Sequence, residues 1–175
     1  TLQGTASYYA YPSYLYFNGT QTLSGTGQVV FGGNYSYNYL YARGDGGSNP
    51  ATLTIGPGIT IHGGQGGTIG GANAGDSLIK QGTIVADTAG TTLRLSAVNN
   101  QSMIEASAGT LNLNGDWSNR GTLAVNGGTV NLTGTLDNAG ATLALSGTIP
   151  LYLNGTIKGG TIQASGAGGS ITVSG

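Results

Sequence analysis

The chain has 175 residues, enough for one domain, and it carries only five Lys or Arg and six Asp or Glu, with a net charge of −1. Binding to nucleic acid or to an anionic membrane surface is not expected, because both need clustered Lys or Arg. The chain has no cysteine, which excludes disulfides and thiolate metal sites, and it has no apolar run of the length that a membrane-inserted helix needs.

The first 41 residues are rich in tyrosine and carry no charge. Residues two apart on a strand point to the same side, so this spacing predicts an aromatic band, with the four tyrosines from 35 to 41 on one strand. Three interpretations stay open: a cap or widened first coils, a contact surface for another copy or another domain of the same chain, and a platform for glycan. The candidate interaction surface comprises Tyr9, Tyr11, Tyr14, Tyr16, Tyr35, Tyr37, Tyr39 and Tyr41.

Residues 42–50 are predicted to form an exposed loop inserted in a coil, because Gly, Ser, Asn and Pro dominate there. The loop contains Arg43, Gly44 and Asp45, the tripeptide that integrins recognise. These three residues are the candidate loop contact.

Residues 51–79 are predicted to form irregular coils, with two strands around the turn at Gly56-Pro57-Gly58 and further turns at residues 63–67 and 70–71. His62 is the only histidine, and few acids accompany it. We therefore expect it on a strand surface or packed, and not as a metal ligand. Four aspartates are predicted to be turn formers or solvated charges: Asp76, Asp87, Asp116 and Asp137.

Residues 80–175 repeat with a period of about 19–20 residues, which is typical of a solenoid. One strand of each repeat opens at Thr83, Met103, Thr122, Thr142 and Thr161, with steps of 20, 19, 20 and 19. A second strand opens at Thr92, Thr110, Thr129, Pro150 and Ser170. A third apolar column contains Val98, Trp117, Leu136 and Ile157.

Apolar residues two apart in these strands predict inward faces, for example Ile84 with Ala86 and Ile162 with Ala164. Small residues recur at the turns, and Asn100, Asn119 and Asn138 predict an amide ladder between coils. The fold class is therefore all-β: a single right-handed parallel β-helix of residues 1–175, roughly triangular in cross-section, with eight or nine coils.

Catalytic, cofactor-binding and metal-binding residues are not predicted. The outward positions of the regular strands hold Glu105 but no second acid, so the pair of carboxylates that glycoside hydrolysis needs is missing there. We expect a protein that is not an enzyme and that needs no cofactor.

Several runs resemble the repeats of large bacterial surface proteins, among them Asn18–Phe31, Leu53–Gly63, Gln81–Ala86 and Gly109–Gly115. The group they are most similar to is the filamentous-haemagglutinin-like and autotransporter-passenger β-helix proteins. This resemblance implies a secreted or cell-surface location and a role as stalk, adhesin or matrix fibre, without catalytic residues to carry over.

The leading expectation is a structural segment of a longer exported bacterial chain that acts as a stalk or self-assembling filament. Its expected partners are other copies, through end-to-end or tyrosine contacts, or neighbouring domains of the same chain. The alternative is an adhesin module that binds glycan or a host receptor through the tyrosines, and a polysaccharide-cleaving enzyme is a remote third.

Overall fold

The structure of the chain is a computed structural model that describes residues 1–6, 10–146, 151–165 and 171–173. The regular secondary structure of these residues consists entirely of β-strands. Almost all strands pair in parallel with the corresponding strand one coil away. The result is a β-solenoid of about seven turns with three sheets around a central core. The predicted all-β parallel solenoid is thereby confirmed.

All coils except those at the C-terminal end contribute a strand to each of three sheets. Sheet I contains β1 (Leu2–Ala6), β2 (Ala10–Tyr11), β5 (Gly27–Gly33), β8 (Ile59–His62), β11 (Thr83–Ala86), β14 (Met103–Ala106) and β17 (Thr122–Val125). Sheet II contains β3 (Ser13–Asn18), β6 (Asn38–Arg43), β9 (Gly67–Gly71), β12 (Thr92–Ser96), β15 (Thr110–Asn114), β18 (Thr129–Leu132), β21 (Leu151–Leu153) and β24 (Ile171–Val173). Sheet III contains β4 (Gln21–Leu23), β7 (Thr52–Ile55), β10 (Ser77–Lys80), β13 (Val98–Asn100), β16 (Asp116–Asn119), β19 (Thr135–Asp137) and β22 (Thr156–Lys158).

Two further strands, β20 (Thr142–Ser146) and β23 (Thr161–Ser165), pair with each other in parallel, and β20 lies beside β17. At the other end of sheet I, β2 pairs with β1 in antiparallel orientation, unlike the parallel pairs elsewhere in the three sheets.

The coils are not all of one length. Arg94 pairs with Asn112, and Asn112 with Asn131, so these coils have 18 and 19 residues, close to the predicted period. By contrast, Tyr39 pairs with Thr68, which is 29 positions later. The longer early coils explain why the molecule has about seven turns and not the predicted eight or nine.

The core consists of inward Leu, Ile and Val side chains from the three sheets, and the predicted inward residues from Ile84 to Leu145 are buried. Burial of each such side chain stabilises the fold by roughly 1.5–3 kcal/mol. The predicted inward pair Ile162 and Ala164 is exposed instead, Ile162 by 44%. Among the described residues β23 pairs only with β20, so no strand covers its other side.

Glycine at the turns allows neighbouring coils to approach closely. A Cβ atom at Gly134 would collide with the carbonyl oxygen of Gly115 in the preceding coil, and one at Gly155 would collide with that of Gly134. Gly70 and Gly71 do not form the predicted turn but belong to β9. A Cβ at Gly71 would meet the Asp76 backbone, so this strand needs glycine for contact and not for bending.

Candidate functional site

The most prominent surface feature is a group of tyrosine rings on the outer side of sheet II. Parallel pairing of β3 with β6 sets Tyr14 beside Tyr39 and Tyr16 beside Tyr41. The ring centroids of Tyr14 and Tyr39 are 4.8 Å apart and nearly parallel, and those of Tyr14 and Tyr16 are 5.2 Å apart. The four side chains form one continuous layer, here called the tyrosine shelf.

Two more tyrosines extend the shelf at the turn before β6. The rings of Tyr35 and Tyr37 stack with centroids 6.0 Å apart, and both side chains are exposed. The prediction that one strand carries all four tyrosines from 35 to 41 is wrong, because β6 begins at Asn38. Tyr11 lies in β2 and is also exposed, whereas Tyr9 lies outside the described residues.

A cleft of about 450 Å³ opens beside the shelf. It is lined by Tyr35, Tyr37 and Tyr39, with Thr68 and Arg94 from the next two strands of sheet II. The pairing of Tyr39 with Thr68 and of Thr68 with Arg94 puts these residues in one row across the sheet. Aromatic walls with a hydroxyl and a guanidinium group make this cleft suited to a ligand with both apolar and polar faces.

Two arginines supply the charge of this surface. The Arg43 guanidinium lies over the Tyr16 ring, 4.7 Å from its centroid, which is a cation–π contact. Arg94 is exposed and has no ion-pair or side-chain hydrogen-bond partner among the described residues. Burial, followed by the neighbouring Tyr39, raises the pKa of Tyr41 above its ordinary value, so the Tyr41 side chain remains uncharged at neutral pH.

The tripeptide Arg43-Gly44-Asp45 straddles the end of a strand. Arg43 belongs to β6, so the loop begins later than the predicted residue 42. The Asp45 carboxylate accepts hydrogen bonds from the Asn49 side chain at 2.7 Å and from the Gly47 backbone N–H at 2.8 Å, and these bonds lower its pKa. The charged groups of Arg43 and Asp45 are thus engaged by Tyr16 and by the loop itself.

Asp76 is not the solvated aspartate that the sequence predicts, since it is only 3% exposed. Its carboxylate accepts hydrogen bonds from the backbone N–H groups of Ala51 at 2.7 Å, Asn73 at 2.9 Å and Gly44 at 3.1 Å. Burial opposes ionisation most strongly, but these backbone donors together hold the pKa of Asp76 below its ordinary value. Asp76 therefore fixes the loop between β6 and β7.

Inside the solenoid, the predicted asparagine column forms a ladder. The Asn100 amide donates to Asn119 Oδ1 at 2.8 Å, and the Asn119 amide donates to Asn138 Oδ1 at 3.0 Å. Asn138 in turn donates to the carbonyl oxygens of Ala141 and Thr161. All three asparagines are fully buried, so the ladder satisfies polar groups that water cannot reach.

The same inner column contains a lysine. Lys80 pairs with Asn100 in the sheet III register and is fully buried. Its Nζ atom donates to the carbonyl oxygens of Gly82 and Met103, both at 2.6 Å. Burial lowers the pKa of Lys80 to about 7. The sequence does contain a signal for this role, because Lys80 lies 20 positions before Asn100, one period earlier.

The single histidine lies on the outer side of sheet I. His62 Nδ1 is 2.9 Å from Asp87 Oδ2, and its Nε2 is 3.2 Å from Gln28 Oε1. The three residues come from successive coils and are 25 and 34 positions apart, so no local motif predicts the group. Within the described part of the chain, no set of three or more His, Asp or Glu side chains is close enough to hold a metal ion.

Thr68 and Arg94 are the cleft residues that the sequence does not group with the tyrosines. The coil from Tyr39 to Thr68 has 29 residues and the coil from Thr68 to Arg94 has 26, and both lengths depart from the regular period. Only the observed register puts them beside Tyr39.

The chain was compared with protein-family models, with curated proteins and with solved structures, and nothing matched. The described residues contain no helix with the length and apolar character needed to cross a membrane.

Proposed function

We propose that this chain is a structural, non-enzymatic segment of a secreted or cell-surface bacterial protein, acting as a stalk or as a subunit of an extracellular filament. The observation that carries this proposal is the unbroken pairing of strands along three sheets around a filled core. Such a molecule is rigid along its axis and grows in length with every coil. The resemblance of its repeats to filamentous-haemagglutinin-like and autotransporter-passenger proteins supports the same role.

The test is a concentration series that combines light scattering with negative-stain electron microscopy. A filament subunit gives fibres of uniform width whose number rises with concentration, through contacts between the ends of the solenoid. A stalk segment gives isolated short rods at all concentrations. Compact particles without an elongated shape contradict both forms of the proposal.

The non-enzymatic part of the proposal has a separate test. Purified protein is incubated with a panel of neutral and acidic polysaccharides, and new reducing ends are measured. We expect no release above that of heat-denatured protein, and a reproducible release from any one polysaccharide overturns this part.

A second candidate function is a glycan-binding adhesin module, favoured by the exposed stacked rings of the tyrosine shelf and the cleft beside it. A tyrosine ring offers an apolar face and a polar tip, which suits a sugar ring with C–H groups on one face and hydroxyls at its edge. Glycan binding that is lost when Tyr35 is replaced by Ala supports this function.

A further inference from the structure

We infer that the cleft beside the tyrosine shelf binds a carboxylated glycan, with a sugar ring against the tyrosines and its carboxylate on Arg94. This inference rests on the second function proposed above and narrows its ligand to one chemical class. Three properties of sheet II support it: the absence of acids from its strands, the unpaired guanidinium of Arg94, and the stacked rings that line the same cleft.

The outer surface of sheet II carries positive charge. The eight strands of sheet II contain Arg43 and Arg94 but no Asp or Glu. Two acids lie two positions beyond strands of this sheet: Asp45, which is bound by its own loop through Asn49 and Gly47, and Asp116, which is exposed and belongs to sheet III. In a chain with a net charge of −1, this face is locally positive. A face with this charge attracts anionic ligands and disfavours cationic ones.

Arg94 reaches the cleft from two strands away. Its backbone lies two strands away from Tyr39 in the row through Thr68, a separation of about 10 Å at ordinary strand spacing. The side chain nevertheless lines the same cleft as Tyr35 and Tyr37. A guanidinium presents paired N–H donors that match the two oxygens of a carboxylate, and at Arg94 these donors are unoccupied.

The rings of Tyr35 and Tyr37 form the aromatic walls of the cleft. Tyr35 and Tyr37 are 46% and 41% exposed, so each leaves a large part of its ring open to a ligand. Their rings are nearly parallel to each other, at an angle of 9°. An acidic sugar has an apolar ring face and an anionic edge, and the cleft offers aromatic walls beside a cation.

A second copy of this chain fits the same surface less well. A two-fold contact through the shelf brings the same patch of both copies together, so Arg43 and Arg94 of one copy approach the arginines of the other. No acid of sheet II is available to compensate that repulsion. Charge therefore favours an acidic glycan as the occupant.

The experiment measures binding of three acidic probes by isothermal titration calorimetry: oligogalacturonate, a hyaluronan oligosaccharide and sialyllactose. Each is paired with its carboxyl-reduced, neutral counterpart. The variants are Arg94→Gln and Tyr35→Ala, with Arg120→Gln as the control. Arg120 is exposed and contacts the Asp137 carboxylate and the carbonyl oxygens of Asn119 and Ala139, away from sheet II, so this control removes the same charge elsewhere. Far-ultraviolet circular dichroism and Trp117 emission verify that every variant is folded.

At least one acidic probe is expected to bind at least tenfold more tightly than its reduced counterpart. Arg94→Gln and Tyr35→Ala each weaken that binding at least tenfold, whereas Arg120→Gln changes it less than twofold. Binding also weakens as salt is raised from 50 to 200 mM, because an exposed ion pair is screened.

Four results overturn the inference. Equal binding of acidic and reduced probes removes the acidic class but leaves glycan binding standing. No binding by any probe removes both, while the structural proposal is unaffected. Equal losses in Arg94→Gln and Arg120→Gln reduce the effect to net charge. Self-association that Tyr35→Ala abolishes, without glycan binding, assigns the shelf to contact between copies.

Discussion

Asp76 and Lys80 are both buried, yet burial has opposite outcomes for their charges. The Asp76 carboxylate receives N–H groups from Gly44, Ala51 and Asn73, and these donors outweigh the cost of removing it from water. The Lys80 amine has two carbonyl acceptors, but burial dominates and brings its pKa to about 7. One residue therefore remains charged throughout the neutral range, while the other titrates within it.

Asp76→Asn is expected to lower the free energy of unfolding at pH 7 by roughly 2–4 kcal/mol, because buried N–H groups lose a charged acceptor. The folded pKa of Asp76 lies below its ordinary value of 3.8. Its stabilisation is therefore present above about pH 4 and is lost as the pH falls through the lowered value.

Urea unfolding from pH 2 to 7 measures both effects, with Asp116→Asn as the matched control. Asp116 is exposed, so its replacement is expected to change stability by less than about 0.5 kcal/mol. Equal unfolding midpoints for the two variants at pH 7 contradict the role assigned to Asp76.

Lys80→Asn tests the titration inside the core, since asparagine occupies this column in the next three coils. Between pH 7 and 10.5 the unfolded lysine holds a proton that the folded one has released. The free energy of unfolding of the wild type, relative to the variant, is therefore expected to rise with pH, by at most about 1.4 kcal/mol per pH unit.

All other titratable groups are the same in both proteins, so their contribution cancels in the difference. A difference that stays flat from pH 7 to 10 shows that Lys80 keeps its proton in the folded state and contradicts the prediction.

At the scale of strands, the solenoid has an inner and an outer asparagine ladder. The inner ladder joins Asn100 to Asn119 and Asn138 in the core. The outer ladder on sheet II joins the Asn131 amide to Asn112 Oδ1 at 2.7 Å. The inner bonds of 2.8 and 3.0 Å and the outer bond of 2.7 Å have similar lengths, but only the outer bond competes with water.

Asn119→Ala is expected to cost roughly 2–4 kcal/mol, since it removes the shorter of the two bonds that the Asn100 amide donates and leaves Asn138 Oδ1 without its donor in the core. Asn131→Ala, the matched control, is expected to cost less than about 1 kcal/mol because water replaces the lost bond. Chemical denaturation of both variants measures the difference. Similar losses for the two show that burial is not what makes the inner ladder stabilising.

The sequence predicts the strands from β11 to β19 and their inward residues well, because a constant period repeats each inward position. It fails where the coil length changes. Gly70 and Gly71 lie inside β9, although the sequence predicts a turn there. Tyr35 and Tyr37 lie in a turn, although their spacing predicts a strand. Contact between coils decides these cases, and contact depends on a register that irregular coils do not reveal.

The same limit applies to the candidate site. Alternation of Tyr14 with Tyr16 and of Tyr39 with Tyr41 predicts an aromatic face from local spacing alone. The sequence does not predict that Arg94 joins this face, because two long coils separate it from Tyr39. The pairing of Gln28, His62 and Asp87 is equally non-local.

At the scale of the whole molecule, each coil contacts mainly its two neighbours, so stability is expected to grow roughly in proportion to coil number. Inserting a second copy of residues 101–119 after Asn119 adds one complete coil and one more asparagine rung. The duplicated protein is expected to unfold cooperatively, to be at least as stable as the parent and to be longer by about 4.8 Å.

Small-angle X-ray scattering measures the length, and thermal unfolding measures the stability. An insert of the same composition in scrambled order is the control, and it is expected to leave the length of the folded part unchanged and to unfold at lower temperature. Equal behaviour of the two inserts contradicts the repeat as the unit of folding.

Similar coils can stack in the wrong order, because a misfolded molecule that leaves out one coil still places asparagine on asparagine. Lys80 removes that ambiguity. Its Nζ atom donates to the Met103 carbonyl oxygen of the next coil, but it has no oxygen that could accept from an amide in the coil before it, so an asparagine threaded into that preceding coil would lose the Oδ1 acceptor that the ladder supplies elsewhere. One lysine in a column that otherwise repeats asparagine thus distinguishes its coil from the others and fixes the order of the coils that follow.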